Sequence, residues 1–214
     1  MGILIVSDYA TCTHLAAPRI LKTQKFICGL AHAPVVLSTD FVDACLSENK
    51  ALDPLDYPLA DVDGERRQQS TLSGALARAK DNNGKMLLGH TIYVTEAVHG
   101  GFETYKSIVQ ANGGKCMLYR ARAPSTLRAG LEDESDASES GQPENVYLIS
   151  GTTAEEGKLW PKFRQMVEAM GKIAMIVRTD WMIYMALSQD RDHWLDAYNL
   201  TDKDIGTVGF VHPL

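Results

Sequence analysis

No apolar stretch in this sequence approaches the roughly 18 residues that a bilayer-spanning helix requires. The amino terminus, MGILIVSDYAT, has no basic segment ahead of its apolar run and meets a charge at Asp8, so it does not read as a secretory leader. An intracellular, reducing setting is the expectation. Cysteine is scarce, with four residues at positions 12, 28, 45 and 116 and no CxxC pair. Cys28 and Cys45 sit among apolar neighbours, as reduced buried thiols do, so a disulfide scaffold is not expected. Also absent are a GxGxxG or Walker-type glycine loop and a nucleophile elbow, and His90 and His99 lack metal-ligand spacing. No cofactor, metal or catalytic constellation is therefore expected. An excess of basic charge is missing as well: 21 Lys and Arg stand against 27 Asp and Glu, a net charge of -6. That balance argues against a broad surface for phosphate backbones.

What the sequence does contain is the composition of a folded protein, with 45% hydrophobic and 22% charged residues. A chain of 214 residues can form one large domain or two compact ones of about 100 each, and two is the expectation. The charge is uneven. Residues 131–145, LEDESDASESGQPEN, carry six acids and no base, so the remainder sums to zero. Rich in Ser, Asp and Glu, this stretch reads as a solvated, disordered loop. Its serines among acids suit an acid-directed kinase, although an inert surface insertion is the simpler account.

Apolar periodicity places strands at 3–6, 14–17 and 34–37 and helices at 23–33 and 39–49 in the first part. In the second part strands fall at 92–94, 115–119, 146–150 and 173–177, and helices at 102–112, 156–170 and 179–189. The second part repeats the order of the first, preceded by one extra strand and helix. Local spelling supports the repeat: VVLSTDFVDACL at 35–46 aligns with MIVRTDWMIYMAL at 175–187, at an offset of 140 residues. Thr39-Asp40-Phe41 and Thr179-Asp180-Trp181 are the shared core of that alignment. In each copy the Thr-Asp pair is expected to end a buried strand and cap the next helix, whose first turn carries an aromatic ring for the core. Trp181 is thus expected in the core and not in a site. Between the copies, residues 60–85 begin polar and then space Leu72, Ala75, Leu76 and Ala79 helically, which predicts a linker ending in a short helix.

The run TCTHLAAPRILKTQKFICGLAHAPVVLSTDFVDACL, residues 11–46, resembles the second half of a BRCT repeat. The second copy, with Trp181 opening its last helix, resembles a complete one. The resemblance covers about residues 2–57 and 88–200 and is carried by Thr-His-Leu, Lys-Thr-x-Lys-Phe and Val-Leu-Ser-x-Asp-Phe. It is strongest toward the C-terminal BRCT pair of fungal multi-BRCT genome-maintenance scaffolds. It implies an α/β fold of two repeats, each a small parallel sheet flanked by helices. The expected divisions are repeat 1 at 1–59, a linker at 60–85, repeat 2 at 86–200 with the acidic loop inside it, and a tail at 201–214. The implied function is that of a nuclear DNA-damage-response adaptor without chemistry of its own. Pairs of this kind bind phosphoserine peptides, in that group the phosphorylated tail of a histone at damaged chromatin, together with other repair proteins.

Carried over by motif, Lys25 is the phosphate ligand. It falls in the first turn of the helix expected at 23–33, where free N–H groups and the helix dipole favour an anion; a solvated helix lysine is the bland alternative. Lys22 matches the position that contacts the peptide backbone or a terminal carboxylate, usually an arginine, and as lysine it keeps the charge without the bidentate fork. Ile27, Gly100, Thr179 and Ile183 fall in the groove that takes the third residue after the phosphoserine. Gly100 and Gly101 leave that groove open, or simply permit the turn into the helix at Phe102.

The first repeat departs from the family's pattern. A BRCT repeat opens with a strand and a helix, and that strand ends in the hydroxyl and amide that complete the phosphate pocket. There is no room for these elements between Val6 and Thr13, and losing a strand from inside a parallel sheet leaves backbone groups unpaired. An N-terminally truncated piece of a longer protein is the expectation. In the second repeat Thr95 is the corresponding residue, but the helix start EEGKLWPKF lacks the Lys-Thr-x-Lys pattern.

Three rival readings are weaker. Cys28, Cys45 and Cys116 with six histidines could supply a nucleophile and base, but thiols on apolar helix faces are usually inert, and His14 is expected to cap or pack in its strand. A phosphate-independent docking module would use the inter-repeat surface or Trp194, Leu195, Tyr198 and Leu200, for which core packing is the plainer role. Direct DNA binding through Lys115, Arg120, Arg122 and Arg128 is offset by the acidic stretch that follows.

Overall fold

The computed structural model describes residues 3–120 and 145–207. Two parallel sheets organise them. Strands β1 (His14–Ala17) and β2 (Val35–Ser38) pair in register, from His14 opposite Val35 to Ala17 opposite Ser38. Strands β3 (Thr91–Thr95), β4 (Lys115–Tyr119), β5 (Asn145–Ile149) and β6 (Ile173–Val177) form the other sheet, in the order β4-β3-β5-β6. Parallel neighbours need crossovers, and helices supply them. Helix α1 (Gln24–Leu30) joins β1 to β2, and α2 (Asp40–Glu48) follows. The linker forms α3 (Val62–Gln68) and α4 (Leu72–Asn82). Helix α5 (Phe102–Ala111) joins β3 to β4, while α6 (Ala154–Gly157) and α7 (Trp160–Glu168) lie between β5 and β6. Helices α8 (Thr179–Ser188) and α9 (Leu195–Tyr198) complete the second repeat.

The larger sheet is covered on both faces. Val146 and Leu148 of β5 join one core with Tyr93, Trp160, Phe163 and Val167, whereas Tyr147 and Ile149 join another with Ile92, Val94 and Ile108. A strand buried on both sides carries an unbroken apolar run, which is why NVYLI shows no polar alternation. The second of these cores does not stop at the sheet. It takes in Phe26, Ile27 and Leu30 of α1 together with Met182 and Met185 of α8, so the two repeats share it.

Several expectations need correction. Residues 3–6, expected as a strand, pair with no strand among the described residues and are 54, 83, 94 and 38% exposed in chain order. An apolar run becomes a strand only where a partner takes its backbone groups. The linker holds two helices, because Asp61 accepts from the Gly64 amide to cap α3 and Thr71 accepts from the Gly74 amide to cap α4. The helix expected at 156–170 breaks around Leu159, and Pro161 sits in the first turn of α7, where its missing N–H costs nothing. Neither Thr-Asp threonine caps its helix. Thr39 is itself helical (φ -59°, ψ -22°), which turns its hydroxyl away from the free amides, and Ser38 Oγ accepts from the Asp40 amide at 3.2 Å instead. In the second copy Thr179 already lies inside α8 and Arg178 holds the cap position. Residues 131–144 of the expected acidic loop, with Arg122 and Arg128, lie outside the described residues, and Asn145 opens β5.

The repeated aromatic has unequal roles. Trp181 is fully buried and stacks on Tyr147 with ring centroids 4.9 Å apart. Phe41 is half-buried and meets Tyr57 edge-on at 5.8 Å, since the first repeat offers it a two-stranded sheet.

All four cysteines are free thiols. Burial pushes the Cys28 thiol up to about 11 and the Cys116 thiol up to about 12. A thiol whose folded value is raised stabilises the fold fully below its unfolded value near 9 and loses that contribution as the pH rises through 11 to 12. Stability in urea should therefore decline from about pH 9 upward. At pH close to neutral a disulfide reagent should spare Cys28 and Cys116 in the native protein and modify all four cysteines in denaturant. Prompt native-state reaction of Cys28 would contradict its burial.

Candidate functional site

The loop between β1 and α1 is held from outside the first repeat's sheet. Asp61 in the linker accepts from the Ile20 amide at 2.9 Å with one carboxylate oxygen and from the Gly64 amide at 2.8 Å with the other. Burial alone would raise its carboxyl, but the two amides, helped by Arg67 and Arg19, outweigh it and hold the group below the ordinary carboxylate range. Asp61→Ala should cost about 1–2 kcal/mol, the worth of a cap and one loop hydrogen bond. The Asp61 contribution is present above the ordinary carboxyl value and disappears as the pH falls through the lowered one, so the variant should differ least from the natural protein in acid. Amide exchange across residues 20–23 should also quicken; an unchanged rate would mean that the loop is held by other contacts.

Thr23 ends this loop in extended backbone (φ -83°, ψ 146°), and its hydroxyl makes no cap bond. The amides of Gln24, Lys25 and Phe26 consequently begin α1 without acceptors in the helix. The helix turns Phe26 and Ile27 into the shared core and leaves Lys25 exposed. Lys25 makes no ion pair or side-chain hydrogen bond among the described residues. Lys22 is engaged across the repeats: its ammonium donates to the Tyr184 hydroxyl and lies 4.2 Å from that ring's centroid. Tyr184 is in turn stacked on Tyr198.

On the second repeat, Gly100 is exposed with φ +93°, a conformation that favours glycine, and a Cβ there would meet the Tyr105 hydroxyl at 3.1 Å. That hydroxyl donates to the His99 carbonyl at 2.7 Å; burial pushes its pKa up, an effect the neighbouring Thr179 side chain partly offsets. Tyr105 thus neighbours both Gly100 and Thr179. Ile183, one turn along α8 from Thr179, is half-buried and packs on the core that contains Ile27. Helix α1 packs against both α5 and α8, so the predicted groove residues converge where the three helices meet. Ile27 has no exposed surface and shapes that junction from beneath. Among the described residues no strand pairs with the second edge of β1, and the hydroxyl and amide that the resemblance assigns to an opening strand have no counterpart there.

The anchors of the docking reading are occupied. Tyr198 and Leu200 are buried, and Trp194 and Leu195 pack against the shared core. The backbone ties this segment onto β6, with the Leu200 amide donating to the Ile176 carbonyl and the Arg178 amide to that of Tyr198. His14 does not pack: it is exposed, its ring bonded to the Thr13 hydroxyl at 2.9 Å. Arg120 pairs with Glu96 at 3.1 Å. Among the described residues no group of three or more His, Cys, Asp or Glu side chains is placed to hold a metal ion, and no helix is long and apolar enough to cross a membrane.

Residues 1–59 match the family model described as the Regulator of Ty1 transposition protein 107 BRCT domain. The crystal structure of the S. pombe Brc1 BRCT5-BRCT6 domains superposes with a TM-score of 0.69 at 30% identity, over 86% of this chain and 82% of that one. The chain belongs to the BRCT family, as a tandem pair. BRCT-containing protein 1 of Schizosaccharomyces pombe is 32% identical to the pair over 193 residues, which are 88% of the pair and 21% of that protein. Human Mediator of DNA damage checkpoint protein 1 is 26% identical, over 74% of the pair and 8% of its own length. The pair thus spans about a fifth or less of these relatives. Its fold is shared by Rtt107p in the structure of its complex with a phosphorylated histone, with a TM-score of 0.58 at 17% identity over 88% of the pair and 76% of that chain.

Tyr105, Tyr184 and Asp61 were not singled out from the sequence. Asp61 carries a local signal, an acid three residues before a helix amide it caps, but its second bond reaches 41 residues back. The Lys22 to Tyr184 contact spans 162 residues and leaves no periodic trace.

Proposed function

We propose that this BRCT pair is a phosphoserine-peptide adaptor of the nuclear DNA damage response that reads a phosphorylated histone tail at damaged chromatin. Lys25 carries the proposal: an exposed ammonium with no ion-pair partner among the described residues, in the first turn of α1 beside three amides free of helical acceptors. A phosphate monoester brings nearly two negative charges and three acceptor oxygens, which match an ammonium and backbone donors together. Lys22 contacts the peptide backbone or a terminal carboxylate, exchanging the Tyr184 hydroxyl for it. Ile27 from beneath, with Gly100, Thr179 and Ile183, forms the groove for the third residue after the phosphoserine. The histone is supported by the fold shared with the Rtt107p complex, and the DNA damage response by the human relative's name.

The pair makes and breaks no bond in this account. Phosphorylation of the partner creates the charge, and the pair converts it into recruitment. Calorimetric titration with a C-terminal Ser-Gln histone-tail peptide, phosphorylated and unphosphorylated, tests it. Binding of the phosphorylated peptide alone is expected. Equal affinities would reject phosphate reading and leave a docking module.

A further inference from the structure

The strand ends of the second repeat play no part in that function, yet they hold a buried charge. The order β4-β3-β5-β6 sends the chain from β3 to one side and from β5 to the other, so the sheet's switch point lies between these two strands. In open parallel sheets ligands bind in the crevice at the carboxyl ends of such strands. Thr95 ends β3 here, and Gly151 follows β5. Between them sits the Glu156 carboxylate, 2% exposed. One of its oxygens accepts from the Thr95 hydroxyl at 2.7 Å and from the Gly151 amide at 2.8 Å. The other accepts from the Thr153 hydroxyl at 2.9 Å.

Glu156 makes no ion pair among the described residues, so hydrogen bonds from neutral groups alone offset the cost of burying it. The fit is close: a Cβ on Gly151 would lie 2.4 Å from the carboxylate. Capping explains part of the arrangement, since Thr153 Oγ also accepts from the Glu156 amide at 3.2 Å. It does not explain Thr95, at the end of β3, or Gly151, in the loop after β5. A cleft of about 520 Å³, lined by Glu96, Tyr119, Arg120 and Leu159 among others, opens onto Glu156 from solvent.

A strand-end hydroxyl and a loop amide converging on one oxygen are donors that an oxyanion of phosphate would also take. We infer that the second repeat has an oxyanion pocket of its own and that Glu156 fills it in cis. Glu156→Ser vacates the pocket and leaves its donors in place. The probe is inorganic phosphate at constant ionic strength, with chloride as control, followed in amide ¹H–¹⁵N spectra and by thermal melting.

The natural pair should show no movement of the Gly151 and Thr95 amides. In Glu156→Ser both should shift saturably, with a Kd at least about tenfold below any binding seen there in the natural pair, and phosphate should raise the melting temperature more than chloride does. Adding Thr95→Val should remove the gained site. A folded variant without shifts, a variant that stays unfolded in phosphate, or a natural pair whose Gly151 amide moves as readily would overturn the inference. Because the readout lies in the second repeat and uses no peptide, its failure leaves the Lys25 site standing, and failure at Lys25 leaves this pocket standing.

Discussion

Replacing Lys25 by methionine should weaken binding of the phosphorylated histone-tail peptide by roughly ten- to a hundredfold, the ~1.5–3 kcal/mol of a hydrogen bond to a charged group. It should also bring the phosphorylated and unphosphorylated peptides close to equal affinity. Methionine keeps the unbranched stem and the helix propensity, and Lys25 is exposed and without an ion pair among the described residues, so the fold should be indifferent to the change. Lys25→Arg keeps the charge but exchanges a compact ammonium for a planar fork, and should retain part of the affinity. Raising the salt concentration should weaken the natural pair more than the methionine variant, because the lost term is electrostatic. Isothermal titration at two ionic strengths reads all of this. An affinity unchanged in Lys25→Met would place the phosphate elsewhere.

The largest expected effect on stability belongs to Trp181. Its side chain is fully buried, stacks on Tyr147 and lies in the core that the two repeats share. Trp181→Ala should cost about 3–5 kcal/mol, a large part of the ~5–15 kcal/mol by which domains of this kind are stable. Phe41→Ala at the equivalent position should cost clearly less, since Phe41 is half-buried. The indole N–H of Trp181 is buried without a partner among the described residues, so Trp181→Phe removes an unsatisfied donor and should be milder than the loss of volume suggests. Urea titrations give the three values. Because the core runs through both repeats, the natural pair should unfold in one transition; two separated transitions would show that α1 contributes little to the second repeat's core.

How far the sequence leads depends on the range of the interaction. The strands 115–119 and 173–177 and the helix beginning at Phe102 were legible because a buried parallel strand is an apolar run and an amphipathic helix a periodic one. Trp181 was legible as core through the repeated Thr-Asp-aromatic spelling. The same spelling misled on capping, since a threonine can precede a helix or begin it, and its backbone angles decide which. Residues 3–6 have the pattern of a strand and, among the described residues, no strand beside them, and pattern alone cannot supply a partner.

For the site, the motif proposes Lys25, which the structure places exposed at a helix start. Lys22 matched the same motif, but its attachment to Tyr184 joins opposite ends of the chain and could be found only in three dimensions. Glu156 lay inside a segment noted for what it lacked. Its role depends on Thr95 and Gly151 meeting at the switch point, which strand order determines and local sequence does not.

Amide chemical-shift mapping of the pair with the phosphorylated and the unphosphorylated histone-tail peptide tests the central claim most directly. The phosphorylated peptide should shift the amides of residues 23–27 saturably, together with Gly100 and Thr179 across the repeat junction, while the unphosphorylated peptide leaves them in place. Identical shifts from both peptides, or shifts confined to surfaces away from the first turn of α1, would contradict it.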